Sequence, residues 1–373
     1  MAVDKKYKEY EEKLYYITDR SLLTAEKVNE LFDELLTVLP NNGKLYKYKA
    51  LDMFHIDELE DGYIWFSSAK KLNDNKDCAF NANYLQQIEE MVKFFLTDGN
   101  YRKTLVKGLY MELAAKNKNI TPQIIEDCLS CVPRSRTKFS QLKFDKFCRD
   151  YHLTKEQRQK LINTIALYSD ERQNEESIRK SVSNLCEQME KIRNGNQICS
   201  LTSSYDKDSM WAYYCNNRGI CIEYDFTKII SVELKNVFIN TQKVRYGRKK
   251  KFSYVDIIKL TLQDTLESKI EADKLIFNQL LTKDKSWSTE EEWRVLIHSR
   301  DNEVGIKVPA KIVGAIYIDY SVLQEDKSKR IIEWANQNEC KIFVRYFSRI
   351  EAEYCYDTIE NINKYTEKVK QLL

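Results

Sequence analysis

The fold of this 373-residue chain depends on the stretch Trp287-Ser-Thr-Glu-Glu-Glu-Trp-Arg-Val-Leu-Ile297. Three consecutive carboxylates lead into an apolar, partly β-branched run, which is typical of a buried strand. Strand side chains alternate between two faces, and a rise of about 3.3 Å per residue places every second side chain about 7 Å apart. One face would then carry Trp293, Val295 and Ile297, and the other Glu290, Glu292 and Arg294.

Two carboxylates held at this spacing can stabilise a cationic, oxocarbenium-like transition state at a sugar carbon. Two structural alternatives stay open for the same residues. Ser288 can cap a helix with Glu291 reaching back as a capping box, or the acids can form a solvated edge, as charge runs commonly do. For the apolar residues of this stretch, we expect Trp287, Trp293 and Val295 to be buried.

The composition sets few limits on partners. Sixty basic residues against 57 acidic ones give a formal net charge of +3, so no global field draws the chain to nucleic acid or to a membrane. No segment approaches the roughly 18 uninterrupted apolar residues that a membrane span needs, and the start of the chain is charged, which predicts a cytoplasmic protein. The ten cysteines lie scattered in apolar stretches, as expected for reduced core residues.

Hydrophobic periodicity divides the chain. The long middle segment has a helical period of about 3.6 throughout, whereas both flanks contain short alternating runs. The predicted fold class is α+β, with a mixed, mainly antiparallel sheet split by a large all-helical insertion. The predicted parts are a helical lead-in (1–40), an α+β core (41–80 and 196–348), the helical insertion (81–195) and a C-terminal helix (349–373).

Several well-known motifs are absent from the sequence. There is no glycine-rich phosphate loop and no dinucleotide fingerprint, and the three histidines are too dispersed for paired metal-ligand motifs. One zinc-like order, CxxC followed by CxxxH, is formed by Cys128, Cys131, Cys148 and His152. We expect these side chains to pack between helices instead, and no metal.

Two basic stretches, Arg134–Lys138 and Lys243–Lys251, are candidate phosphate contacts. Solvated loops are the simpler interpretation of both. The run Trp211-Ala-Tyr-Tyr214 can form an aromatic wall for a flat ligand or belong to the core.

Short patches spread over residues 44 to 300 form a recognisable set. They are Leu45-Tyr-Lys-Tyr48, Gly62 through Trp65-Phe-Ser67, Asn73-Asp74, Cys199-Ser200, Met210-Trp211 with Tyr214, Arg218-Gly-Ile-Cys221, and Trp287 with Glu290-Glu-Glu-Trp-Arg294. Together they resemble the bacterial domain-of-unknown-function 2971 family, although Asn75 stands where that family usually has proline. The family label names no activity.

A second resemblance supplies an activity. A first strand with a polar residue, a Ser/Thr-rich second strand and a late Glu-x-Glu strand are similar to ADP-ribosyltransferases of the Arg/Ser-Thr-Ser/Glu-x-Glu type. By that resemblance Glu292 would be the catalytic carboxylate and Glu290 would activate the acceptor. Ser200 or Thr202 would orient Glu292.

The same resemblance implies NAD as the substrate. Trp211 or Tyr214 would stack on nicotinamide, and Arg294 would be a further cofactor-binding residue. Lys47 or Tyr48 stands where those enzymes carry arginine or histidine, and lysine lacks the planar fork with which arginine grips a pyrophosphate.

The sequence therefore predicts an NAD-dependent, ADP-ribosyltransferase-like effector that modifies an unknown protein or nucleic-acid acceptor. By analogy, its setting would be a toxin or phage-defence system. One alternative is a non-catalytic module that presents the helical insertion to a partner protein. Another is a metal-dependent nucleic-acid-processing enzyme that uses Glu290, Glu292 and Asp74 with Mg²⁺. A shared pocket for Lys47, Ser200 and Glu292 would favour the transferase.

Overall fold

The computed structural model divides the chain into two compact units. The first comprises Met1–Phe80, Ile192–Lys250 and Ile276–Leu373, and the second comprises Asn81–Lys191 and Lys251–Leu275. The structure describes residues 2–17, 23–72, 74, 76–80, 83–97, 141–159, 179–180, 182–184, 186–187, 191, 194–263, 265–298 and 304–364.

The architecture is α+β, as predicted, with a mixed and mostly antiparallel sheet. The helices, numbered in chain order, are α1 (Ala2–Tyr15), α2 (Ala25–Val38), α3 (Met53–Glu60), α4 (Tyr84–Thr97), α5 (Gln141–Asp150), α6 (Asp208–Cys215), α7 (Val232–Phe238), α8 (Tyr254–Gln263), α9 (Leu266–Leu281) and α10 (Asp326–Gln337). Among the helices described, none is long and apolar enough to cross a membrane.

The strands of the described residues all fall in the first unit. They are β1 (Lys44–Ala50), β2 (Tyr63–Ser68), β3 (Asn196–Thr202), β4 (Gly219–Asp225), β5 (Thr241–Lys243), β6 (Arg245–Tyr246), β7 (Thr282–Lys283), β8 (Glu292–His298), β9 (Gly305–Pro309), β10 (Val313–Asp319), β11 (Lys341–Ser348) and β12 (Glu353–Thr358). The main sheet has the order β12-β11-β10-β4-β1-β3-β2-β9, while β8 pairs with β3 and β5.

Strand β3 is the point at which this sheet branches. It pairs along its length with β8, from Asn196 opposite His298 to Thr202 opposite Glu292. It also pairs with β1 near its end, at Thr202, and with β2 near its start, at Ile198. Ser200 lies between these last two pairings, where β3 changes its neighbour from β2 to β1.

The predicted strand at β8 is confirmed in its apolar half. Trp293 and Val295 are buried in the main core, which also includes the apolar stripe of α2. Helix α2 begins after Thr24, whose hydroxyl accepts a hydrogen bond from the Lys27 amide at 3.2 Å, the usual function of an N-cap threonine. The ring of Trp293 meets that of Tyr7 edge to face, with centroids 5.5 Å apart.

In the second unit, the regular secondary structure of the described residues is all helical. Helices α4 and α8 contact each other, and the Tyr254 amide donates a hydrogen bond of 2.8 Å to the buried Gln87 side chain. Arg179 binds Glu89 through both ends of its guanidinium group, at 2.6 and 3.2 Å. The second unit also takes in Lys251–Leu275.

The predicted C-terminal helix over residues 349–373 is wrong in its first part. Glu353–Thr358 form strand β12, which pairs antiparallel with β11 at the sheet edge. The ring of Tyr356 packs against Tyr205 and Tyr317, with centroids 5.1 and 6.0 Å away. Alternating aromatic contacts on a pleated edge outweigh the helical pattern of this segment.

Replacing Trp293 with alanine should lower the free energy of unfolding by about 3 to 5 kcal/mol, the range for a large aromatic deleted from a core. Trp287→Ala is the matched control, because Trp287 is only half-buried and should cost less. Urea denaturation of both variants gives the comparison. Equal losses would contradict the assignment of Trp293 to the core.

Candidate functional site

A cavity of about 350 Å³ opens beside the branch of the sheet, within the first unit. Strand β1, helix α3, the turn after β2, strand β3, helix α6 and the segment leading into β8 contribute to its wall. Lys47, Ser200 and Glu292 all line it. The predicted site residues found in the wall are Lys47, Tyr48, Ser200, Thr202, Tyr214, Glu290 and Glu292.

A backbone arrangement that the sequence pattern did not predict directs the two carboxylates into this cavity. Glu290 is not part of a strand, because Lys285–Glu290 form a 3₁₀ helix capped by Asp284. Glu291 then takes a left-handed conformation with φ 45°, and the strand begins at Glu292. The left-handed residue turns the chain, so Glu290 and Glu292 both point inward while Glu291 points to solvent.

Neither structural alternative for these acids is found. Asp284, not Ser288, caps the helix, and it accepts a hydrogen bond from the Ser286 amide at 2.9 Å. A solvated edge is also wrong for Glu290 and Glu292, which are each 4% exposed.

Arg294 holds the Glu292 carboxylate from the buried side, away from the cavity. Its Nε donates to Glu292 Oε1 at 2.7 Å and its Nη2 donates to Oε2 at 3.1 Å. The same Nη2 donates to Asp77 Oδ2 at 2.5 Å. Arg294 is fully buried and is not part of the cavity wall, so its predicted role in binding a cofactor is corrected to one of support.

The pKa of Glu292 is held low by its neighbours. Burial alone would raise it, but the charges of Arg294 and Lys283 outweigh burial, and a hydrogen bond from Ser200 adds to them. The resulting pKa is about 2, so Glu292 is ionised at neutral pH. Of the two residues predicted to orient Glu292, Ser200 makes this bond, whereas the Thr202 hydroxyl donates to the backbone carbonyl of Glu290 at 2.5 Å.

Lys283 lies between the two carboxylates. Its Nζ is 2.5 Å from Glu290 Oε2 and 3.2 Å from Glu292 Oε2. Asp77 Oδ2 is 3.7 Å away, and the ring centroid of Trp287 is 4.8 Å away. An ammonium group therefore contacts three carboxylates and an aromatic face at once.

The pKa of Glu290 is shifted in the opposite direction to that of Glu292. Burial raises its pKa above the usual 4.5, even though hydrogen bonds from Lys283 and Tyr214 act to lower it. The Tyr214 hydroxyl donates to Glu290 Oε1 at 2.6 Å. Two neighbouring carboxylates with opposite pKa shifts are the usual arrangement for a pair with separate acid–base and charge-stabilising roles.

Aromatic residues surround the carboxylate end of the cavity. Trp287, Tyr213 and Tyr214 line it, and Tyr213 meets Trp287 edge to face at 5.2 Å. Trp211, predicted as a possible stacking partner, is fully buried and does not line the cavity. Its indole packs edge to face on the Tyr48 ring at 5.4 Å, so of the two candidates only Tyr214 has access to a ligand.

Strand β1 adds positive charge to another part of the wall. Lys47 and Lys49 line the cavity, and Lys49 forms a buried ion pair with Glu58. Burial lowers the pKa of Lys49 to about 8. The Lys47 ammonium lies 3.4 Å from Cys199 Sγ, and no carboxylate of the described residues is within ion-pair distance of it.

Sequence reasoning missed Lys283, Asp77 and Lys49. Lys283 follows a buried helix end and belongs to a two-residue strand, so no periodicity identifies it. Asp77 lies close to the Asn73-Asp74 patch of the family resemblance, which was the one available signal.

The carboxylates predicted for a metal-dependent enzyme do not converge. Asp74, Glu290 and Glu292 line the same cavity, but their oxygens do not form a group within 4.8 Å. In the described residues, that spacing is met by the partly exposed group Glu351, Glu353 and Cys355. The structure does not test the zinc-like set of three cysteines and His152, because Cys128 and Cys131 lie outside the described residues.

The comparisons with known proteins show similarity to a family whose description names no activity. Residues 210–295 match the model of the family described as "Protein of unknown function (DUF2971)", which confirms the predicted family resemblance. The matched segment begins in α6 and ends in β8, so it includes the carboxylate half of the cavity. Searches of curated proteins and of solved structures each found no match.

The two opposite pKa shifts predict opposite effects on the pH dependence of stability. The folded pKa of Glu292, about 2, lies below its usual 4.5. Its charge therefore contributes stability that is present above about pH 4.5 and lost as the pH falls towards 2. Glu292→Gln should weaken this acid-side loss in urea denaturation measured across the same window.

Glu290 should behave in the reverse way. Its folded pKa is raised, so its contribution is present below the usual pKa and lost as the pH rises through the folded value. Glu290→Gln should therefore weaken a loss of stability on the alkaline side of pH 4.5. If both amide variants change the same limb of the stability profile, the assigned pKa directions are wrong.

Proposed function

We propose that the cavity binds NAD, cleaves its nicotinamide–ribose bond and transfers ADP-ribose to a macromolecular acceptor. The observation that carries this proposal is the pair of buried carboxylates, Glu290 and Glu292, which share one cavity but have opposite pKa shifts. Their shared wall with Ser200 and Lys47 supports the same assignment.

Bond cleavage requires stabilisation of positive charge. As the C1′–N bond breaks, nicotinamide leaves with the bonding electron pair, and positive charge develops on the ribose. Glu292 remains ionised at neutral pH and is held by Arg294 and Ser200. A fixed negative charge in a site shielded from water is the kind of group that lowers such a barrier.

Transfer requires removal of a proton from the acceptor. The incoming nucleophile forms a bond to C1′ and loses its proton, which Glu290 is placed to accept. Its raised pKa brings it closer to the operating pH, as expected of a general base. Tyr214 keeps one Glu290 oxygen hydrogen-bonded, which fixes the direction of the carboxylate.

The rest of the wall suits the two ends of NAD. The rings of Trp287 and Tyr213 offer an aromatic surface to the flat, cationic nicotinamide ring. Lys47, which has no carboxylate of the described residues within ion-pair distance, offers positive charge to the phosphates. The volume of about 350 Å³ lies within the range of small-molecule sites.

The central experiment measures nicotinamide release from NAD by the wild type and by Glu292→Gln. The amide keeps the shape but removes the negative charge, so turnover should fall by roughly a hundredfold or more while NAD affinity largely survives. Chromatography of released nicotinamide gives the rate, and calorimetry gives the affinity.

The neighbouring glutamates supply controls. Glu291 is 56% exposed at its side chain and pairs with Lys207 at 2.9 Å, and it is not in the wall. Glu291→Gln should therefore keep full nicotinamide release.

Glu290→Gln should impair transfer to an acceptor more than NAD hydrolysis, with a cell extract supplying protein and nucleic-acid acceptors. A wild type that neither binds NAD nor releases nicotinamide with any acceptor fraction would remove the proposal. The non-catalytic interaction module would then be the better account of the same residues.

A further inference from the structure

Three carboxylates meet around a single lysine in the wall of the cavity. Asp77, Glu290 and Glu292 are each no more than 5% exposed at the side chain, and Lys283 is 8% exposed. Arg294 forms ion pairs with Glu292 and Asp77 from the buried side. It makes no ion pair with Glu290, for which the one cationic partner among the described residues is Lys283.

We propose that Lys283 is a positioning residue of this site, whose ammonium group holds Glu290 in its inward orientation and keeps it available as a base beside Glu292. This proposal rests on the proposed function for its catalytic consequence. Its structural part does not, because it concerns contacts within the chain itself. Lys283 acts through the glutamates and is not assigned any contact with substrate.

The backbone around Lys283 is built to hold this position. Leu280 and Leu281, just before it, are fully buried, and strand β7 pairs with β6 so that Lys283 lies opposite Tyr246. The Tyr246 hydroxyl accepts a hydrogen bond of 2.7 Å from the Glu292 amide. The lysine and one of its carboxylate partners are therefore tied to the same tyrosine.

The Trp287 ring limits the directions that the ammonium can take. It covers Lys283 Nζ at 4.8 Å, and a desolvated cation over an indole face is favourable. Trp287 and Glu290 belong to the same 3₁₀ helix. The helix therefore supplies both the aromatic cover and one of the carboxylates that bind the lysine.

Charged and titratable groups from several elements surround this lysine and its carboxylate partners. They are Asp77 from the turn after β2, Tyr214 from α6, Tyr246 from β6, Glu290 from the 3₁₀ helix, and Glu292 and Arg294 from β8. Of these groups, Glu290 depends most on Lys283, since Glu292 and Asp77 also pair with Arg294.

The test compares Lys283→Met with Lys283→Arg. Methionine keeps the length of the side chain without its charge, and arginine keeps the charge with a different shape. Lys307→Met is the matched control, because Lys307 also lies over an aromatic ring, that of Tyr63 at 4.2 Å, but is 57% exposed and outside the cavity.

The first readout is the titration of the Glu290 carboxyl carbon by NMR in unligated protein labelled with ¹³C-glutamate. Glu290→Gln identifies the signal. Loss of the adjacent positive charge should raise the titration midpoint in Lys283→Met by about 1 to 3 pH units. Lys283→Arg and Lys307→Met should keep the wild-type midpoint.

The second readout is the pH dependence of transfer to the acceptor. In Lys283→Met the acid limb should move to higher pH by the same amount as the titration, since more alkaline conditions are needed to deprotonate Glu290. A folded Lys283→Met with an unchanged midpoint overturns the proposal. If that variant does not fold, Lys283→Arg decides alone, and a midpoint raised by about one unit or more overturns the charge-based role.

The Glu290 titration midpoint and the measurement of nicotinamide release together separate the two proposals. A raised Glu290 midpoint in a protein that never acts on NAD supports Lys283 as the residue that controls Glu290 and removes the transferase function. Nicotinamide release that requires Glu292, with an unmoved midpoint in Lys283→Met, supports the transferase and removes the role of Lys283.

Discussion

The structure of the first unit depends on one buried guanidinium group. Arg294 is fully buried, and its donors reach Glu292, Asp77 and the Leu280 carbonyl. These partners belong to β8 itself, to the turn after β2 and to the end of α9, so one side chain joins its own strand to two other segments. A buried charge is costly unless it is paired and hydrogen-bonded, and removing any of these partners would leave that cost uncompensated.

The cavity results from this anchoring together with two backbone features. Strand β3 pairs with β1 at Thr202 and with β2 at Ile198. Ser200 therefore lies at the gap between β1 and β2. Glu291 then reverses the chain in a left-handed conformation, which costs a residue with a β-carbon about 1 to 2 kcal/mol. Its side chain recovers part of this cost by bonding to Ser203 and Lys207.

Local patterns predicted the parts of this arrangement that local physics decides. The alternation of Trp293 and Val295 correctly indicated a buried strand, because a pleated strand imposes period two wherever one face meets a core. The α+β class followed from the change in period along the chain. Tyr356 shows the limit, since an edge strand with aromatic contacts to distant tyrosines was interpreted as part of a terminal helix.

The site was only partly predictable for the same reason. Glu290 and Glu292 were expected to share one strand face, but they are brought together by a turn at Glu291 that no periodicity indicates. Arg294 was expected to bind a cofactor, whereas long-range pairing with Asp77 places it behind the cavity. No sequence pattern indicated Lys283, because its contacts are with residues that only the folded chain brings together.

Charge balance in the buried cluster connects its stability with its chemistry. Asp77, Glu290 and Glu292 face Arg294 and Lys283, so with all groups ionised one negative charge remains uncompensated. In a poorly solvated site that excess must be neutralised. Glu290 is the carboxylate most affected, because Arg294 pairs with Glu292 and Asp77 but not with Glu290. Its raised pKa is one solution, and a cationic ligand ring beside Trp287 would be another. The same imbalance would therefore favour a positively charged ligand at this end of the cavity.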